Sequence, residues 1–281
     1  MTNPRGPSKV VAVRADTSKA PTEPAAKQRL QKVLARAGVA SRRHAEQLVR
    51  EGRVRVGGKV IEAQGTLVDP FRDQIEVDGR PIAAEPLTYL LFHKPRQVVC
   101  TMHDPAGRRS VTDYVSGVGV RVVPVGRLDY QTSGVMLLTN DGAFARGLLH
   151  PSCEVLKEYV LKVKGEVDQV GLERFRDSID IGGRRTAPAR VARLRMEGGN
   201  TWLTIVLHEG KNRQIRRLAE HAGYRVMRLT RSRFAGLTAA GLGPGEWRRL
   251  TAAELRSLQN ALATPAGRRK QPQGLASIPD E

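Results

Sequence analysis

Asp129 stands in the run Gly126-Arg127-Leu128-Asp129-Tyr130-Gln131-Thr132-Ser133-Gly134, a polar loop between two apolar stretches at 122–125 and 135–139. A carboxylate held there, next to a guanidinium and small hydroxylated residues, suits nucleophilic attack or proton abstraction. On spacing alone, an Asp in a loop is more often a turn cap than a catalyst. A second set of candidates is the pair Cys100-x-x-His103 and His150-x-x-Cys153, whose two-residue gaps resemble half-sites for zinc. The 46 residues between the pairs hold a whole strand pair, and His150-Pro151 reads as a helix exit, so no metal is expected. The third set is cationic. Lys211, Arg213, Arg216, Arg217, Arg225, Arg228, Arg231 and Arg233 fall within residues 210–233 against Glu220 alone. Such a run suits polyanion binding or a solvated face, and its apolar interleaving places it on ordered elements.

The elements that must carry these residues follow from periodicity. Strands are predicted at 88–92, 122–125, 135–139, 157–164, 188–195, 201–207 and 226–234, and helices at 142–149, 169–178, 211–222 and 251–261. Strands and helices do not alternate regularly, which predicts an α+β fold with a mixed, mainly antiparallel sheet. On helix 211–222, Ile215, Leu218, Ala219 and Ala222 form the apolar stripe. At about 100° per residue, Arg213 and Arg217 point away from it and Arg216 lies on its shoulder, partly covered and able to reach a neighbouring buried acid. No phosphate-cradling Gly-rich loop, dinucleotide fingerprint or HExxH is present, so no cofactor is expected.

Upstream lies a smaller unit. Leu30, Val33, Leu34 and Ala37 follow helical spacing to Gly38, and Ser41 caps a second helix that buries Ala45, Leu48 and Val49 before Gly52. Arg53-Val54-Arg55-Val56 alternates as a strand, Gly57-Gly58 turns, and Lys59-Val60-Ile61 returns; Ile75 and Val77 mark a further strand. Arg42, Arg43 and Arg50 lie on the open side of the second helix, with Arg53 just beyond it.

The 281 residues carry 47 Lys and Arg against 28 Asp and Glu, a net charge of +19 that points to a nucleic-acid partner. Aromatic residues are only 4%, which excludes a surface built on many stacked bases but leaves room for one critical ring. The two cysteines are too few for a disulfide framework and imply a reducing, cytosolic compartment. No apolar run is long enough to span a bilayer, and basic helices without Trp or Phe on their apolar faces disfavour a membrane surface. No interface signal stands out, so a monomer is expected. Composition divides the chain into disordered tails at 1–27 and 263–281, a small domain at 28–80, a linker at 81–87 and a larger domain at 88–262.

The segment RLQKVLARAGVASRRHAEQLVREGRVRVGGKV resembles the S4 (α-L-like) RNA-binding domain, in which the helix bearing Arg42, Arg43 and Arg50 docks on structured RNA. GRLDYQTSGVMLLTNDG resembles the signature loop of the pseudouridine synthases, in the branch that joins an S4 domain to the catalytic domain and modifies ribosomal RNA. HKPRQVVCT at 93–101, HPSCEVLKEYVLKVKG at 150–165 and LHEGKNRQIRRL at 207–218 extend the resemblance in the same order.

That resemblance implies isomerisation of uridine to its C-glycoside, without a cofactor. It makes Asp129 the catalytic carboxylate, either a nucleophile at C1′ or a base at C2′. It further assigns Tyr159 to stacking on the uracil, Arg127 to the flipped nucleotide or the space it leaves, and Arg216 to an ion pair that keeps Asp129 ionised. Lys211, Arg213 and Arg217 join Arg53 as expected RNA contacts. Breaking a buried pair typically costs ~3–5 kcal/mol, so truncating Arg216 is expected to hurt folding as well as turnover. HDPAGRRSV at 103–111 is nearer the large-subunit (23S) than the small-subunit (16S) branch. A non-catalytic RNA-binding or ribosome-assembly factor on the same scaffold is the alternative, and Asp129, Tyr159 and Arg216 together argue against it.

Overall fold

The computed structural model describes residues 27–83 and 85–263. The tails expected at 1–27 and 263–281 fall outside the described residues, apart from Lys27 and Ala263, which closes the last helix. The chain divides between Pro86 and Leu87 into two units.

The first unit pairs β1 (Gln28–Arg29) with β4 (Leu67–Val68). Helices α1 (Leu30–Arg36) and α2 (Arg42–Arg50) stand over a four-stranded sheet of β2 (Val54–Val56), β3 (Lys59–Val60), β5 (Ile75–Val77) and β6 (Arg80–Pro81). Ser41 caps α2 by accepting from the His44 N–H at 3.2 Å, as the sequence predicts. The core joins Leu30, Leu34, Leu48 and Val49 to Val54 and Ile75. The second helix keeps Arg42, Arg43 and Arg50 exposed.

The second unit is built on a nine-stranded sheet among the described residues, mixed and mainly antiparallel as expected. Its main path runs β11 (Arg190–Glu197), β12 (Asn200–Leu207), β10 (Lys157–Val163), β13 (Val226–Phe234), β9 (Ser133–Thr139), β7 (Tyr89–Lys94) and β15 (Trp247–Arg249). Two short strands lie off that path, β8 (Val123–Pro124) on β9 and β14 (Leu237–Thr238) on β13. Helices α4 (Gln169–Arg176) and α5 (Gln214–Ala222) belong to the first four strands, and their apolar sides meet Leu161, Val163, Leu203 and Ile205. Helices α3 (Gly142–Leu149) and α6 (Ala252–Ala263) pack with Leu91, Val135 and Leu137 of β7 and β9. None of the described helices is long and apolar enough to cross a membrane.

Every residue of β9 is buried, which is why it reads as an unbroken apolar run rather than an alternation. It meets β13 in parallel through only two register pairs, Thr230 with Ser133 and Arg231 with Gly134. At Gly134, with φ +113°, a Cβ would lie 2.2 Å from the Arg231 carbonyl oxygen, so only glycine lets the two strands close. This short seam joins two halves of the sheet, and the Asp129 loop enters β9 beside it.

One predicted element is corrected. The helix expected at 211–222 begins at Gln214, because residues 211–213 form a turn first. The Gln214 side chain accepts from the Lys211 N–H at 3.0 Å, while the Gln214 backbone N–H donates to the Lys211 carbonyl at 3.2 Å. Arg213 is the residue before the helix, in left-handed backbone at φ +51°, so its direction does not follow the helical wheel.

Candidate active site

The loop from β8 to β9 is fixed from behind. Leu128 is buried in the core and its backbone meets the Cys100 thiol, which lies 3.2 Å from the Leu128 carbonyl and 3.4 Å from its N–H. The Thr132 N–H donates to the Asp129 carbonyl at 3.0 Å, and the Gln97 N–H donates to that of Tyr130 at 2.7 Å. Beneath the loop lies Lys94, with no exposed surface. Its ammonium donates to the carbonyls of Pro95 at 3.0 Å, Thr132 at 2.8 Å and Asp129 at 3.3 Å. Burial pulls the Lys94 pKa down to about 8, against the opposing pull of Cys100 and Asp129.

Held this way, Asp129 presents a half-buried carboxylate to an open cleft of about 100 Å³, whose lining includes Arg127, Thr132, Tyr159, Lys211, Arg213 and Arg216. Arg216, in the first turn of α5, places Nε 3.6 Å from Asp129 Oδ2. That is ion-pair range but longer than a hydrogen bond, and the buried Nε has no hydrogen-bond partner. Burial lowers the Arg216 pKa, the Asp129 carboxylate opposes that shift, and nearby Arg213 and Arg96 add to it. Tyr159, opposite Ile205 and Arg231 in the sheet, is half-buried and packs against the core on both sides of the seam.

The other expected residues separate into groups. Arg127 is exposed at the cleft wall, and Arg213 lines it from the turn before α5. The Lys211 ammonium is already engaged, donating to the carbonyls of Arg185 and, at 3.1 Å, Arg184, with Glu209 3.8 Å away. Arg217 is exposed and is not among the cleft residues. In the first unit, Arg53 holds Asp78 with two bonds of 2.8 and 2.6 Å and meets Glu51 at 3.2 Å. Arg42 and Arg43 have no ion-pair partner among the described residues, and Arg50 reaches only the Glu46 carbonyl. The Cys–His pairs lie apart: Cys100 backs the loop, whereas Cys153 packs with the cluster under α3 and α6.

Two buried cations were not anticipated. Lys94 and Arg231 occupy inward positions of their strands, in phase with Phe92 and Leu229, and that phase was the available signal. Arg231 donates from Nε to the Val135 carbonyl at 2.8 Å and lies over the Phe234 ring, 4.6 Å from its centroid. It thereby ties β13 to β9 at the seam.

Two family models match the chain, the S4 domain over residues 28–82 and RNA pseudouridylate synthase over residues 88–221. Ribosomal large subunit pseudouridine synthase B of Bacillus subtilis (strain 168) is 44% identical over 234 residues, covering 83% of this chain and 96% of the relative. The chain belongs to the S4-bearing RNA pseudouridine synthases. The Escherichia coli (strain K12) ribosomal large subunit pseudouridine synthase B is 37% identical, covering 85% of this chain and 84% of its own length. A pseudouridylate synthase crystal structure covers 82% of this chain and 99% of its own, with a TM-score of 0.57 at 23% identity, a likeness of fold. The chain is therefore an isomerase.

Proposed function

We propose that this protein converts a uridine of large-subunit (23S) ribosomal RNA to pseudouridine, with Asp129 as the catalytic carboxylate. The observation that carries the assignment of the site is the Asp129 carboxylate set 3.6 Å from the Arg216 guanidinium in a cleft walled by Tyr159. The likeness to large-subunit synthases over more than four fifths of the chain supports the choice of RNA.

A uridine swung out of its stack enters the cleft with its sugar toward Asp129 and its base against Tyr159. The carboxylate either attacks C1′, expelling uracil from N1, or removes the C2′ proton to give a glycal. The first route parallels the carboxylate nucleophile of retaining glycosidases. The freed uracil turns and C5 bonds to C1′, as the bond from C1′ to the Asp129 oxygen breaks on the first route or Asp129 returns the proton to C2′ on the second. C5 then loses its proton and N1 gains one, so the product is an isomer of the substrate. Arg216 holds the carboxylate in place through the cycle, and Arg127 at the rim holds the displaced nucleotide. Lys211 acts as a positioning residue, because its ammonium ties the cleft wall to residues 184–185. Arg42, Arg43 and Arg50 dock the S4 domain on RNA. Both cysteines are free, in keeping with a reducing, cytosolic compartment, and the protein acts as a monomer.

The test is incubation with unmodified 23S and 16S transcripts and mapping of new pseudouridines, beside an Asp129→Asn control. Product at one 23S site with wild type and none with the variant is expected. Product only in 16S RNA overturns the choice of subunit. No product from the wild-type protein on either RNA overturns the catalytic reading.

A further inference from the structure

Beside the cleft, α5 walls a second and larger cavity. It is an open groove of about 430 Å³ whose lining includes Arg213, Arg216, Glu220, Tyr224 and Arg225. Arg213 and Arg216 line both cavities, so the groove continues the cleft along the flank of the helix. Arg216 and Glu220, four residues apart, put one face of α5 in its wall, and Arg213 and Gly223 flank the helix at its two ends. The helix has nine residues and is about 14 Å long, so its flank offers room for about two or three phosphates of one strand.

Charge and shape select the occupant. The lining holds three arginines and one acidic residue, Glu220. Arg213 and Arg225 are exposed, and neither forms an ion pair among the described residues. Tyr224 is half-buried and held by stacking on Phe175, with centroids 5.8 Å apart and planes at 21°. A cationic groove with a fixed aromatic ring is the general form of a single-strand site, in which phosphates meet the cations and a base meets the ring. The volume is on the scale of small-molecule pockets, suited to nucleotides of one strand rather than to a duplex.

We propose that this groove holds the unpaired nucleotides adjoining the target uridine in the same strand, with their phosphates on Arg213 and Arg225 and a base against Tyr224. The inference rests on reading the cleft as the uridine site. It makes the substrate a uridine in a loop or bulge with unpaired neighbours, not a lone base extruded from a continuous helix.

The test is a salt titration of binding to an oligouridylate of about six nucleotides, with wild type, Arg225→Gln and Arg225→Lys, and with a blunt RNA duplex in parallel. Each lost phosphate contact to a single strand should flatten the slope of log K against log salt by about 0.7. Arg225→Gln is expected to flatten it by that amount on the oligomer, Arg225→Lys to restore it, and the duplex to be unaffected. An unchanged slope on the oligomer overturns the proposal, as does an equal loss on the duplex or failure of wild type to bind the oligomer. Pseudouridine formation by wild type on 23S RNA is scored separately. An active enzyme with an unchanged slope sinks the groove alone, whereas an inactive one sinks the reading of the cleft.

Discussion

Two arginines, one in each unit, meet carboxylates on opposite terms. Arg53 grips Asp78 with two short bonds, yet both side chains are nearly half exposed, at 44% and 48%. Arg216 stands 3.6 Å from Asp129 with no hydrogen bond at Nε, and its side chain is 15% exposed. The better geometry does less. In water, solvation competes for every bond that Arg53 makes, and its charge is cancelled before any RNA arrives. Under cover, the imperfect Arg216–Asp129 contact leaves both groups with unused capacity, which a site meant to receive a substrate requires.

The contrast can be broken at several points. Asp129→Asn should lower kcat by at least about 10³-fold while leaving the circular dichroism spectrum native; turnover within tenfold of wild type would remove the carboxylate from the chemistry. Lys94→Met deletes three buried hydrogen bonds beneath the loop and should cost about 3 kcal/mol in urea unfolding. The same lysine gives a pH dependence of known sign. Its folded pKa of about 8 lies below the unfolded value near 10.4, so the unfolded chain binds more protons between them. The Lys94 contribution to stability therefore grows as pH rises through that window, and wild type should gain on Lys94→Met between about pH 7.5 and pH 10. A constant difference would show that the ammonium is not desolvated.

Smaller effects sharpen the comparison. Arg216→Ala should cost about 1–2 kcal/mol, below the ~3–5 kcal/mol of a fully buried pair, because the Asp129 side chain is about one third exposed and the contact is longer than a hydrogen bond. Turnover should fall far more than that stability loss explains, and proportionate losses would make Arg216 merely structural. Smallest of all, Arg53→Gln should leave both the melting temperature and the salt dependence of RNA binding unchanged within error. Arg43→Gln, which removes a cation with no acidic partner, should flatten that salt dependence by somewhat under one unit. Equal effects of the two variants would erase the distinction between a spent and an available charge.

The parts of this architecture with a period were legible in the sequence. The long strands from 133 to 139, 157 to 163 and 226 to 234 repeat at every second residue or run apolar throughout, and α2 announces itself with Ser41. The pairs Gln28–Arg29 with Leu67–Val68, and Leu237–Thr238 on β13, have too few residues to carry a period and depend on the partner strand. Arg213 escaped because nothing in its type announces a left-handed backbone. Asp129, Tyr159 and Arg216 lie on a loop, a strand and a helix far apart in the chain, so their proximity is a product of topology that no local spacing encodes. Resemblance supplied what spacing could not. Lys94 and Arg231 were readable as cations in core phase, a violation that marks where a fold serves something besides stability.

The seam at Gly134 has a consequence for how the enzyme comes into being. Asp129 belongs to the half of the sheet that holds β9 and β7, whereas Tyr159 and Arg216 belong to the half that holds β10 and α5. Neither half alone holds all three residues of the proposed site. With the site proposed above, activity requires the two residue pairs of the seam to be in place, so turnover doubles as a reporter that the two halves have joined.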